Sequence, residues 1–148
     1  MSRIQLALNV DDLAESVKFY TALFGTEPAK TKPGYANFAV TEPPLKLVLI
    51  ENPGQGGSLN HLGVEVPDTA AVEETQSRLS GEGLASTEER DTTCCYARQE
   101  KFWVEETPNG ERWEVYTVLE DAETFAGDQA ACCGTESETE QRESVACC

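Results

Sequence analysis

The sequence predicts an α+β fold in which two repeated βαβββ modules form one curved mixed sheet around a cavity. Three observations carry that prediction. A strand-like segment near the N-terminus leads into a capped helix, the same order recurs about 56 residues later, and turn-forming residues divide each half into short strands. The chain of 148 residues is about one domain in size and long enough to bury a core.

The elements follow in order. Ile4, Leu6, Leu8 and Val10 alternate with Gln5, Ala7 and Asn9, which is the period of a half-buried strand. Asp12 can cap the following helix with Glu15 three residues on; Leu13, Val17, Tyr20 and Phe24 mark its apolar side, and Gly25 ends it. Strands fit 35–40 and 45–50, separated by Pro43-Pro44. The second copy opens with a strand at 59–66, where Leu62, Val64 and Val66 take the buried parity. A helix over 68–79 follows, stopped by Gly81 and Gly83. Further strands fit 84–88, 96–105 and 111–119, with Pro108-Asn109-Gly110 as a turn between the last two. The modules thus cover about 1–55 and 56–119.

Residues 120–148 differ. They hold eight acids against one base, Arg142, with few large apolar residues, so this tail is expected to be disordered without a partner. The net charge of -16 argues against nucleic acid and anionic membrane surfaces as partners, because both require a basic patch. No basic, apolar leader and no long apolar run is present, so a cytoplasmic protein is expected. All six cysteines occur as neighbours: Cys94-Cys95, Cys132-Cys133 and Cys147-Cys148. Adjacent residues close almost no loop and staple nothing, so thiols that grip a soft ion are the favoured role, with disulfides from one pair to another as the alternative.

Three polar residues share one parity. Gln5 faces opposite to Ile4 and Leu6, His61 opposite to Leu62 and Val64, and Glu114 opposite to Trp113 and Val115. If the two modules pack edge to edge and curl, these faces line one concave cavity. A neutral nitrogen, an amide oxygen and a carboxylate there make a divalent-metal site with open positions. A lone strand histidine serves equally as a hydrogen-bonded structural residue, and parity leaves both readings open.

The repeated module, its His61-Leu62-Gly63-Val64 start and the closing Thr107-Pro108-Asn109-Gly110-Glu111-Arg112-Trp113-Glu114-Val115-Tyr116 resemble the vicinal oxygen chelate superfamily. That group includes glyoxalase I, bleomycin-resistance proteins and extradiol dioxygenases. The resemblance covers roughly 1–119. It implies metal ligands from the first strand of each module and the last strand of the second, places held by Gln5, His61 and Glu114. A glyoxalase I-like isomerase would want a fourth, acidic ligand from 45–50, where only Lys46 is polar; Glu51 lies just beyond.

Asp91-Thr92-Thr93-Cys94-Cys95-Tyr96-Ala97, with the cysteine-ending acidic tail, resembles the arsenic and cadmium resistance branch of that superfamily. The branch comprises non-haem iron carbon–arsenic lyases and cadmium-induced proteins. The resemblance implies Fe(II) as cofactor, dioxygen as co-substrate, and a trivalent methyl or aromatic organoarsenical as the small-molecule substrate, with arsenite released. Gln5 stands where many dioxygenases have histidine, so manganese, nickel and zinc stay open as metals. Cys94 and Cys95 would hold the arsenic. Neighbours in an extended strand point to opposite faces, so joint chelation requires a turn there. Trp103 and Trp113 are candidates to flank the organic group, and Tyr96 and Tyr116 to donate a proton. The rival readings are a cadmium- or arsenite-binding protein without turnover and a glyoxalase-like metal-dependent isomerase. Either a monomer or a homodimer satisfies the pattern.

Overall fold

The computed structural model describes residues 1–126; the Cys132-Cys133 and Cys147-Cys148 pairs, and the expectation of disorder beyond Ala126, lie outside the described residues. The first module runs β1 (Arg3–Val10), α1 (Leu13–Phe24), β2 (Lys30–Lys32), β3 (Tyr35–Val40) and β4 (Leu45–Glu51). The second repeats it as β5 (Leu59–Glu65), α2 (Thr69–Gly81), β6 (Ser86–Cys94), β7 (Ala97–Val104) and β8 (Trp113–Asp121). All eight strands join one sheet in the order β2-β3-β4-β1-β5-β8-β7-β6. In each module the last strand lies parallel beside the first, and antiparallel β1 and β5 join the two modules. The predicted α+β class and module repeat are those observed.

The caps behave as their chemistry requires. Asp12 accepts from the Glu15 amide at 3.0 Å and Asp68 from the Ala71 amide at 2.8 Å. Gly25 closes α1 at φ 62, a left-handed conformation that suits a residue without a Cβ. On the convex face, Leu13, Val17, Tyr20 and Phe24 of α1 cover Val10, Phe38, Val40, Leu47 and Leu49. A second cluster of Val66, Val72, Phe102 and Val115 lies under α2. The third, Ala7, Tyr35, Val48, Ile50 and Tyr96, occupies the concave side.

Several elements depart from the expected bounds. β2 was not marked in sequence because Lys30-Thr31-Lys32 carries no apolar alternation; it is an edge strand, where lysines discourage further pairing. β6 runs on to Cys94 through the charged stretch 88–91, and at the other edge of the sheet such residues reach solvent. A bulge between Glu89 and Thr92 interrupts its pairing with β7, with Asp91 at φ 47. β7 and β8 are joined by residues 105–112, within which the predicted turn sits as a Gly110 amide to Thr107 carbonyl bond. β8 continues to Asp121, past the boundary placed at 119.

The sheet curls until its two ends meet. Lys30 on β2 donates to the Tyr96 carbonyl at 2.9 Å and to Asp121 at 2.6 Å, and the Tyr96 hydroxyl donates to the Pro33 carbonyl at 3.1 Å. One chain therefore encloses the concave side itself. No helix among the described residues is long and apolar enough to cross a membrane.

Phe38 is fully buried beneath α1, whereas Phe19 on the same helix is 59% exposed. Phe38→Ala is expected to cost about 3–5 kcal/mol by urea denaturation, and Phe19→Ala under about 1 kcal/mol; equal losses would contradict this assignment of the core.

Candidate metal and thiol site

The register of β1 on β5 places Leu6 opposite Leu62, Gln5 opposite Gly63 and Ala7 opposite His61. Gln5 and His61 therefore occupy equivalent places in the two modules, each across from a small residue. Gly63 also pairs with Glu114 on β8, which brings the third side chain onto the same face. Gln5 Nε2 lies 3.0 Å from His61 Nε2 and donates to Glu114 Oε1 at 2.9 Å, while His61 Nε2 and Glu114 Oε1 are 3.2 Å apart. All three side chains are almost completely buried.

Neighbours fix each corner. β5 is bulged where Ala7 pairs with His61 but Leu8 with Leu59, so Asn60 is the unpaired extra residue. Its amide is oriented by donation from Nδ2 to Asn9 Oδ1 at 3.0 Å, which turns Oδ1 to His61 Nδ1 at 2.7 Å. Nδ1 then carries a proton, which reserves Nε2 for the centre of the triangle. Lys101, fully buried on β7, lies 3.1 Å from Glu114 Oε2 and 3.5 Å from Glu89 Oε2. Its ammonium and the Arg112 guanidinium both lie over the Trp103 ring, whose edge meets the His61 ring at 5.5 Å.

The electrostatics favour an ionised carboxylate. Burial alone would raise the Glu114 pKa, but Lys101 and His61 outweigh it and hold the carboxyl well below the usual range. Tyr116 moves the other way: burial, then the Glu65 and Glu114 carboxylates, push its hydroxyl well above its ordinary value. It stays a protonated donor, bonded to Gln5 Oε1 at 2.5 Å.

The donor triangle fits a divalent ion. Metal bonds of about 2.1 Å meeting at right angles separate neighbouring donors by about 3.0 Å, close to the three spacings found. Ligation by Gln5 requires its amide oxygen at the centre. The turned amide would donate from Nε2 to the Tyr116 hydroxyl, which has a second acceptor in Glu65 Oε2 at 3.3 Å. A Cβ on Gly63 would lie 3.2 Å from Glu114 Cγ and 3.3 Å from Gln5 Nε2, so glycine leaves the space these two side chains use. On β4, the place matching Glu114 falls to Val48, opposite Ala7, and Glu51 instead accepts from the Leu13 amide at the start of α1. The described residues thus supply no fourth acidic ligand on β4.

Cys94 ends β6, and Cys95-Tyr96 form the two-residue connection to β7, since Cys94 pairs with Ala97. Both connecting residues have left-handed backbones, φ 55 and 59, the conformation of a type I′ hairpin turn. This is the turn that joint chelation requires, and it brings the two sulfurs 3.3 Å apart; Cys94 is disulfide-bonded in this structure, so both sulfurs can hold one atom only after reduction. Two bonds from sulfur to one arsenic-sized atom, meeting near a right angle, span that gap. Residues 122–126 clasp the turn: the Cys95 amide bonds to the Phe125 carbonyl at 2.7 Å, and Cys94 bridges to Ala126. Cys95 lines a cavity of about 270 Å³ together with Tyr35, Lys46 and Glu65. Burial, then the negative charge of Cys95 and Glu114, raises the Tyr35 pKa, so this ring senses the thiol turn and the donor triangle together.

Sequence parity finds Gln5, His61, Glu114 and the cysteine pair but misses their supports. Asn60 is hidden by the bulge, which periodicity cannot reveal. Lys101 carries a signal, a lysine at the inward parity of β7 between Gln99 and Trp103. Trp103 borders the triangle, while the Tyr96 hydroxyl is committed to Pro33 and Trp113 lies on the opposite parity from Glu114.

Residues 3–115 match the family described as the Glyoxalase/Bleomycin resistance protein/Dioxygenase superfamily. The trivalent organoarsenical cleaving enzyme of Thermomonospora curvata is 60% identical over 135 residues, covering 90% of this chain and 89% of that one. The cadmium-induced protein CadI of Mycobacterium tuberculosis is 57% identical over 143 residues, covering 90% and 93%. Among solved structures, an extradiol ring-cleaving dioxygenase from B. fuscum aligns with TM-score 0.56 at 20% identity, over 82% of this chain and 34% of that one. At that identity the likeness speaks for the fold alone.

Gly63→Ala is expected to lower stability by about 1–3 kcal/mol, because both neighbours of the added methyl are buried and bonded to each other. Gly63 needs no left-handed backbone, so the loss reports crowding alone; an unchanged urea midpoint would show that the space is not filled.

Proposed function

We propose that this chain, which belongs to the Glyoxalase/Bleomycin resistance protein/Dioxygenase superfamily, cleaves the carbon–arsenic bond of trivalent organoarsenicals and releases arsenite for arsenic detoxification. Ferrous iron, held by Gln5, His61 and Glu114, is the metal of this reading and dioxygen the co-substrate. The observation that supports it is a cysteine turn whose Cys95 packs against the cluster of Ala7 and Tyr35, with Ala7 the strand partner of His61 in the donor triangle. The relative in Thermomonospora curvata supports the substrate class, and the missing fourth acid disfavours a glyoxalase-like isomerase.

The chemistry such a centre supplies when loaded is the binding and activation of dioxygen. The protein's own part is positional. Once the disulfide that Cys94 makes in this structure is reduced, Cys94 and Cys95 as thiolates would take the soft arsenic, and the hairpin fixes where its organic group points. Converting an encounter into an internal step lowers a barrier by several kcal/mol. Asn60 keeps a His61 proton on Nδ1, Lys101 holds Glu114 Oε2 and leaves Oε1 for the ion, and Tyr35, packed against Tyr96, forms one wall of the cavity.

The likeness to CadI favours a second reading, in which thiols sequester cadmium or arsenite without turnover. Turnover separates the two. Ferrous iron added to metal-free protein under air should yield arsenite from a trivalent organoarsenical; no product, or the same product without oxygen, would refute the dioxygenase claim. Cys94→Ser and Cys95→Ser should each lower turnover by about a hundredfold or more, with metal content measured by atomic emission unchanged. Metal lost from those variants would reverse the assigned roles.

A further inference from the structure

One buried cation in the cavity is only loosely engaged by the fold. Arg3 donates to Glu65 Oε2 at 2.8 Å, and Lys30 is taken by the Tyr96 carbonyl and Asp121. Lys46, only 9% exposed, also faces this space from β4, beside Gln5 in the register. Its ammonium stands 3.8 Å from Glu65 Oε2 and over the Tyr116 ring, and it makes no hydrogen bond among the described residues. Glu65 has Arg3 at 2.8 Å, and Lys46 adds a longer pairing at 3.8 Å that leaves the protons of its desolvated ammonium for a further acceptor. A methionine would pack the same wall without that cost.

We propose that Lys46 is a specificity-determining residue that receives an anionic or strongly hydrogen-bond-accepting substituent carried on the organic group of the substrate. This rests on the arsenical reading of the site and narrows it. Cys95 and Lys46 line the same cavity, so an organic group on sulfur-bound arsenic that occupies it lies within reach of the Lys46 ammonium. A cavity of about 150 Å³ holds a benzene ring; the roughly 270 Å³ here admits a ring with a polar substituent and is poorly filled by a methyl group. The substrate class indicated is an aryl arsenical bearing a carboxylate, an oxyanion or a similar acceptor.

The test is equilibrium binding to the full chain, first reduced and then held without oxygen, read by quenching of tryptophan fluorescence. The probes are phenylarsine oxide, its 4-carboxy derivative, and benzoate as an arsenic-free anion. The 4-carboxy compound should bind about tenfold to a hundredfold more tightly than the unsubstituted one. Lys46→Met should erase that advantage and leave phenylarsine oxide within about twofold of its original affinity, while Lys46→Arg retains it. Equal affinities in the unsubstituted protein, or an advantage that survives Lys46→Met, would overturn the proposal with no need of a variant that folds. Benzoate binding that depends on Lys46, without arsenical binding, would uphold the subsite and sink the arsenical reading. Failure of all three probes would sink both.

Discussion

Because β1 and β5 run antiparallel with Leu6 opposite Leu62, Gln5 and His61 lie on one face, close enough for their nitrogens to meet at 3.0 Å. That single pairing joins the two modules, and the rest of the site is referred to it. The parallel addition of β8 to β5 then puts Glu114 beside Gly63, and β7 adds Lys101 opposite Tyr116. A one-residue slip would send each of these side chains to the helix-covered face. The apolar clusters under α1 and α2 resist such a slip, since it would also turn Val10 and Val115 away from them.

Buried charge is matched with care inside this framework. Glu114 is kept ionised by Lys101 and His61, and Glu65 by Lys46 and Arg3 against the opposing effect of burial. Lys46 itself is pulled below an ordinary lysine by burial, with Glu65 and Cys95 acting to restore it. A chain of -16 net charge thus gathers cations where its few interior carboxylates sit. Most of the other acidic side chains among the described residues lie at the surface, where water solvates them.

Strand alternation makes much of this legible from the residues alone. Gln5, His61 and Glu114 each contrast with apolar neighbours, so their common face follows from a period of two. The helices are equally readable, since Asp12, Asp68 and Gly25 mark their ends chemically. What escapes the pattern is whatever breaks the period. The Asn60 bulge, the bulge before Thr92 and the left-handed Cys95-Tyr96 turn depend on partners from distant strands, and no local propensity announces them. β2 escapes for another reason: three polar residues at an edge carry no apolar signal. The thiol pair is visible by chemistry, but its geometry is set by Lys30, Phe125 and Ala126, far away in sequence.

The turn that carries the sulfurs is made of two residues with side chains in a backbone region that favours glycine, at a cost of about 1–2 kcal/mol each. It persists because strands from both ends of the sheet hold it: Lys30 and Ala122 share the Tyr96 carbonyl, and Phe125 closes over Tyr35 and Tyr96. By linkage, a guest that tightens this hairpin also tightens the seam where the sheet's two margins meet, and loosening the seam weakens the guest by the same factor. The site and the closure of the barrel wall are therefore one equilibrium, seen from inside and from outside.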